Sequence, residues 1–277
     1  HKRDHVVPPE RFNRKLQQLA RFISEVLLCP DVLAVQEVEN IQTLQRLGDA
    51  TCVSSGAYRA VLVEGNDFVG MDVGFLVKRS LNISSVQSLA SKEKMPRGRG
   101  FLFDHPPLLL QLTGPNQSKL SLLAVHNRSF KGLENPQKRR FVEYKRQQQA
   151  QWLGNWVAMQ LKNRPAEHLI VLGDFNADYE SDSLRLISNA SAAQSEQRLW
   201  DVAERISADQ RYSYVYRHKK QALDHVLLSS ALVPAVREAH YSPLKSRSSK
   251  KAGARKGVVN PSDHAAMSVT LDMRALR

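Results

Sequence analysis

The stretch HLIVLGDFNAD, residues 168–178, decides how the fold is read. A short apolar run ends at Leu172, Gly173 follows, and Asp174, Asn176 and Asp178 come next. The run predicts a buried strand that delivers polar groups at its carboxyl end. The same arrangement recurs outward along the chain. VLAVQE ends on Glu37, LSLLAVH ends on His126, Asp224 stands shortly before VLLSS, and Asp263 with His264 precedes AAMSVTL. Such strand ends converge on one rim of a sheet, where open α/β sheets place their ligands. Carboxylates gathered there repel one another unless a hard cation sits among them. Oxygen donors suit Mg2+, Mn2+ or Ca2+ and argue against structural zinc. Singly, each residue has an ordinary explanation: a loop acid for Glu37, an Asx turn for Asp174, a cap or turn for Asp263, a satisfied half-buried ring for His126. The ordered set is what points to chemistry.

On either side of this stretch the elements are legible from their periods. Between residues 9 and 29, Phe12, Leu16, Leu19, Ile23, Val26 and Leu27 step by three or four. That predicts an amphipathic helix with Arg11, Arg14, Lys15 and Gln18 on its wet side. Pro30 and Asp31 end it, the strand DVLAVQEV follows, and Asn40 caps a second helix that runs to Leu47. Further strands are predicted at 58–63, 72–77, 108–112, 120–125, 168–172, 212–216, 222–228 and 265–271. A long helix is predicted over 137–161, with Phe141, Tyr144, Trp152 and Trp156 inward. Strands outnumber helices and several are consecutive. This excludes a strictly alternating parallel barrel and predicts an α/β (α+β) layered sandwich, one domain over residues 1–277. No internal repeat is evident at periods of about 20 to 50 residues.

Composition narrows the classes. The 277 residues are 42% hydrophobic and 24% charged, which excludes a disordered chain. The longest apolar runs, such as residues 108–110, fall far short of the roughly 20 residues that span a bilayer, so no membrane insertion is expected. The formal net charge is +13. Residues 245–256, KSRSSKKAGARK, hold six basic residues and no acidic one, which reads either as a solvated loop or as a phosphate-tracking arm. Cys29 and Cys52 exclude a disulfide-rich scaffold and a cysteine zinc cluster, and two free buried thiols are expected in preference to one bridge. The chain opens at His1 without a charged-then-apolar leader, so a targeting segment is expected to be removed or never present. No protein partner is predicted.

Five words carry a resemblance: QE at Gln36 and Glu37, AVHNRS around His126, GDFN at 173–176, LDHVLLS at 223–229 and SDH at 262–264. In this order they resemble the endonuclease/exonuclease/phosphatase superfamily, the DNase I-like hydrolases. ERFNRKLQQLARFI and PDVLAVQEVEN look like its bacterial extracellular-nuclease branch. The resemblance implies a four-layer sandwich of two packed mixed β-sheets flanked by helices. It implies Glu37 as a metal ligand and Asp263 near the metal. Asp174 would orient or deprotonate the attacking water, and Asn176 would donate to a phosphate oxygen. His264, hydrogen-bonded to Asp224, would bind phosphate. His126 would be a second phosphate contact or general acid, with Asp72 as the candidate that orients its ring. The implied activity is phosphodiester hydrolysis of nucleic acid, DNA before RNA, with Mg2+ or Mn2+ and Ca2+ as a further option, in an extracellular or periplasmic setting.

The sequence also departs from the family pattern. Its members begin with a strand ending in an Asn that helps bind metal and phosphate. Nothing before His1 supplies it and Asn13 falls in the first helix, so a first strand is expected to be missing from the chain as given. Glu39 stands where pancreatic-type deoxyribonucleases have an Arg. His105 in DHPPLLL replaces a phosphate-contacting Arg, with Arg97 and Arg99 in PRGRG as compensating contacts and Arg128 as another. A phosphatase or a lipid or inositol-phosphate phosphodiesterase is the alternative on the same fold. A membrane-directed enzyme would carry an exposed aromatic hairpin; residues 212–216 are the nearest candidate and read as a plain strand. A non-enzymatic adaptor is disfavoured because every acid and histidine of the set is present.

Overall fold

The computed structural model describes residues 7–114, 118–189, 192, 195–244 and 261–275, so the basic stretch 245–256 lies outside the described residues. In chain order the first elements are α1 (Pro9–Glu25), β1 (Val32–Val38), α2 (Ile41–Ala50), β2 (Tyr58–Leu62), β3 (Asp72–Lys78) and β4 (Asn82–Ser88). Then come β5 (Leu108–Thr113), β6 (Lys119–His126), α3 (Pro136–Asn163), β7 (His168–Asp174), α4 (Asp182–Ile187) and β8 (Leu199–Asp201). The last strands are β9 (Tyr214–Tyr216), β10 (Lys219–Gln221), β11 (Asp224–Ser229), β12 (Val236–Tyr241) and β13 (Met267–Leu271).

The apolar runs assemble a six-stranded sheet in the order β4-β5-β6-β7-β11-β8. β6 and β7 pair in parallel, as the crossover through α3 requires, and the remaining pairs are antiparallel. Both faces of the sheet are covered, which is why its central strands are continuously apolar. On the inner face Leu110, Leu122, Ile170 and Leu228 meet Phe75 and Val77 of a second, antiparallel sheet ordered β1-β3-β2. The antiparallel ribbon β12-β13 closes the same core through Val236, Met267 and Val269. On the outer face Leu123, Leu169 and Val171 pack on Leu153, Val157 and Leu161 of α3 and Leu184 of α4. α1 and α2 cover the small sheet through Ile23, Leu44 and Leu47 on Leu76 and Tyr58. The layers are therefore helix, sheet, sheet, helix, as expected, with parallel pairing confined to the larger sheet among the described pairs. No helix among the described residues is long and apolar enough to cross a membrane.

Three expectations are corrected. Cys29 and Cys52 are not free thiols but a disulfide with a Cα–Cα distance of 5.8 Å. Both sit where α1 and α2 end against one core cluster, a proximity that 23 residues of sequence separation does not reveal. Phe141 does not point inward; it is 45% exposed. The buried face of α3 runs instead through Val142, Lys145, Gln149, Leu153 and Val157, and Tyr144, Trp152 and Trp156 are half-buried at its margin. Finally, residues 212–216 are not an ordinary sheet strand. β9 pairs only with β10 in a two-stranded hairpin, and residues 215–220 are exposed.

Candidate active site

Gly173 is what lets the parallel pair carry the site. Its φ is +130°, and a Cβ there would lie 2.2 Å from the Val125 carbonyl, too close for any side chain. With that approach preserved, His126 on β6 is in register with Asp174 on β7, and Asp174 with Asp224 on β11. Three adjacent strands thus present His126, Asp174 and Asp224 side by side on one rim.

Asp174 is buried and held. Its Oδ1 accepts the Asn176 backbone N–H at 2.7 Å, and its Oδ2 accepts the Asn176 side-chain N–H at 3.0 Å and faces His126 Nε2 at 3.7 Å. Burial raises its carboxyl to about 7; the charges of Asp224 and Glu37 add to the rise, while His264 and the Asn176 N–H oppose it. Asn176 reaches this position through a left-handed backbone, φ 47°. Its amide also donates to the Asn127 carbonyl at 3.0 Å, so both amide hydrogens are engaged. In this geometry the Asn176 amide hydrogens go to Asp174 and to the Asn127 carbonyl, which differs from the donation to phosphate expected of it.

His264 Nδ1 donates to Asp224 Oδ2 at 2.6 Å. Burial opposes its charge, but the hydrogen bond and charge of Asp224, with Asp174 and Asp263 beyond, lift it to about 9. His126 goes the other way. Burial, then the charges of His105 and His264, push it down to about 3, so the ring is neutral. It stacks on His105 with ring centres 4.4 Å apart, and His105 Nδ1 donates to the Met71 carbonyl at 2.7 Å. His126 Nδ1 and Asn127 Oδ1 are buried without a hydrogen-bond partner among the described residues.

Asp174, Asp224 and His264 offer ligand atoms within 4.8 Å of one another. Glu37, on the β1 bulge with φ 59°, is exposed and lines a cleft of about 260 Å³ with Asp67, His105, His126, Arg128 and Lys131. Asp263 is exposed and acts on His264 by its charge. The expected metal residues Glu37 and Asp263 flank this three-residue cluster. Asp72 does not orient His126: its Oδ1 accepts the Gly65 N–H at 2.7 Å, and the carboxylate beside His126 is Asp174. Of the expected substrate contacts, His105 and Arg128 line the cleft, whereas Arg97 and Arg99 sit exposed on the loop before Phe101 and are not among its lining residues.

Sequence reasoning missed the polar face of α3. Arg146 donates to the carbonyls of Arg128 and Asn176, both at 2.6 Å, with its guanidinium 4.0 Å from the Phe130 ring centre. Burial lowers it to about 10, which leaves it a cation. Gln149 accepts the Arg128 N–H at 2.8 Å and donates to the Leu102 carbonyl at 2.9 Å, and Lys145 donates to Asp104 at 2.8 Å. One helix face thus fixes three cleft loops. The available signal was the run of polar residues exactly where an apolar seam should continue, which a hydrophobic period cannot assign.

Fold and site together define a four-layer α/β sandwich with an acid–histidine cluster on its sheet rim. A model of the endonuclease/exonuclease/phosphatase family matches residues 4–251, and the chain belongs to that family. Among solved structures it is similar to an endonuclease/exonuclease/phosphatase family protein from Bacteroides thetaiotaomicron, with TM-score 0.64, 15% identity, and 97% of this chain and 90% of that one covered. It is similar to D. rerio TDP2 complexed with single-strand DNA product, with TM-score 0.61, 17% identity and coverage of 94% and 92%. It is also similar to the 3′ phosphatase NExo from Neisseria bound to a product DNA hairpin, with TM-score 0.59, 16% identity and coverage of 94% and 95%. No curated protein sequence matches the chain significantly.

Proposed function

We propose that the protein is a divalent-metal-dependent phosphodiesterase that hydrolyses nucleic acid by attack of an activated water on phosphate. The observation that carries this is the alignment of His126, Asp174 and Asp224 on adjacent strands with His264 bonded to Asp224. Asp174, raised to about 7 before any ion binds, is placed to orient the attacking water and to accept its proton. His264, cationic through Asp224, binds a phosphate oxygen. Neutral His126 donates a hydrogen bond and has no proton to give as a general acid at neutral pH. The charges of Glu37 and Asp224 on Asp174 are the mutual repulsion that a hard cation relieves. Glu37 with the near side of the Asp174–Asp224 pair would hold such an ion, which when bound supplies Lewis acidity and offsets phosphate charge. His264 as an imidazolium is no ligand, which leaves oxygen donors and favours Mg2+ or Mn2+.

Nicking of supercoiled plasmid tests this. Metal-dependent relaxation, abolished by EDTA and reduced about 10²–10⁴-fold by Asp174→Ala, is expected. Intact plasmid with cleavage of a phosphomonoester would move the assignment to a phosphatase. The disulfide supports an extracellular or periplasmic setting, since such bonds persist in oxidising compartments; recovery of the protein only in the cytosolic fraction would refute that placement.

A further inference from the structure

The β9–β10 hairpin projects from the rim that holds His264. Tyr214, the first residue of β9, sets its ring 4.8 Å from the His264 imidazole. Ser213 ties the base of the hairpin to the site. Its Oγ accepts the N–H groups of Leu223 and Asp224, both at 3.0 Å, and its carbonyl accepts the Ala265 N–H at 2.7 Å. Beyond that base the hairpin faces solvent. Residues 215–220, VYRHKK, are all exposed, and Tyr216 is 53% accessible. Arg217, Lys219 and Lys220 are basic, and no acidic residue lies between Asp209 and Asp224.

The aromatic and basic side chains are interleaved. The Arg217 guanidinium lies 5.2 Å from the Tyr216 ring centre, and the Lys220 ammonium 4.2 Å from that of Tyr212. The turn itself is unusual. Arg217 and His218 have φ of 45° and 66°, the two left-handed positions of a tight hairpin turn, where Asn-Gly is the favoured pair. Two bulky basic residues stand where backbone conformation alone favours glycine.

We infer that this hairpin is a single-strand-binding arm, whose cations contact phosphates of the strand beyond the one being cleaved and whose Tyr216 stacks on a base. The inference rests on the nucleic-acid reading of the site and adds to it a grip outside the reacting phosphate. Alternation of cation and ring matches alternation of phosphate and base, and the arm begins beside His264, where phosphate binds. Stacking on a tyrosine is tolerant of base identity, so the arm confers affinity without sequence preference.

The test is fluorescence anisotropy with a labelled single-stranded oligothymidylate in EDTA, where no turnover occurs. Arg217→Ala/Lys219→Ala/Lys220→Ala is expected to weaken binding more than tenfold at low salt. It is also expected to reduce the slope of log affinity against log salt by about 2, from about 0.7 per phosphate contact in single strands. Tyr216→Ala is expected to weaken binding about tenfold with the slope unchanged. Unaltered affinity and slope in the triple variant overturn the arm, as does hairpin-dependent binding to phosphatidylserine vesicles with none to the oligonucleotide. Hydrolysis of bis(4-nitrophenyl) phosphate by the wild type separates this from the catalytic reading. Hydrolysis together with an inert hairpin sinks the arm alone. Charge-dependent oligonucleotide binding without hydrolysis sinks the chemistry and leaves the arm standing.

Discussion

At His264 two opposing effects meet, and the partner wins. Burial alone would lower the imidazole below its ordinary 6.5, yet the 2.6 Å bond to Asp224 carries it to about 9. A folded-state value above the unfolded one contributes stability that is complete below 6.5 and is lost as pH rises through about 9. Asp224→Asn removes the charge and leaves the burial, so the His264 value is expected to fall below 6.5 in an NMR titration of its ring protons. The loss of melting temperature between pH 6.5 and pH 9 should flatten in metal-free protein; a value still near 9 would place the stabilising charge elsewhere. His126 makes the converse case. Because its ring is neutral, an amide can imitate it: His126→Gln should retain about tenfold more activity than His126→Ala in the nicking assay, on the scale of one hydrogen bond to a charged group. Equal activities would mean that the ring acts by packing against His105.

The elements legible in the sequence are those whose burial is two-sided or whose caps are local. LSLLAV and LIVL announced β6 and β7 because both faces of the sheet are covered. Asn40 announced α2 because its side chain accepts the Thr43 N–H at 2.8 Å. β4, NISSVQS, was illegible because it is an edge strand whose alternate residues face water. β12, VREAHY, was illegible for a related reason: three of its six residues are exposed, and its pairing depends on the distant β13. The acids and histidines of the rim were legible because strand ends place them. Arg146 and the bridge between Cys29 and Cys52 were not, since both depend on contacts that sequence spacing leaves free. The bridge should contribute about 3 kcal/mol by restricting the unfolded chain. Cys29→Ser/Cys52→Ser is expected to lose that much in urea unfolding while plasmid nicking persists, because α1 and α2 lie on the far side of the small sheet. At the hairpin the expectation reverses. Arg217→Asn/His218→Gly relieves two left-handed non-glycine residues, at about 1–2 kcal/mol each, and should raise thermal stability while weakening oligonucleotide binding.

Across the whole molecule the site is a junction between sheets. Glu37 comes from the three-stranded sheet, whereas Asp174 and Asp224 come from the six-stranded one, and the charge of Glu37 still reaches Asp174. Without a cation, these layers bring like charges together at the rim of a core that otherwise holds them face to face. A divalent ion bound there should therefore stabilise the sandwich as a unit. At a hundredfold excess over its Kd the gain is about 2.7 kcal/mol, or roughly 5 °C in melting temperature for 277 residues. The pH dependence follows from Asp174. Its value rises from 3.8 to about 7 on folding, so below about 7 a proton occupies the carboxylate and competes with the cation. The shift produced by Mn2+ or Mg2+ should consequently be larger at pH 8 than at pH 6. Glu37→Gln should shrink it at pH 8 by removing the small sheet's share of the site. A shift that is equal at the two pH values and indifferent to Glu37 would mean that the ion binds elsewhere and that the two sheets are joined by their apolar core alone.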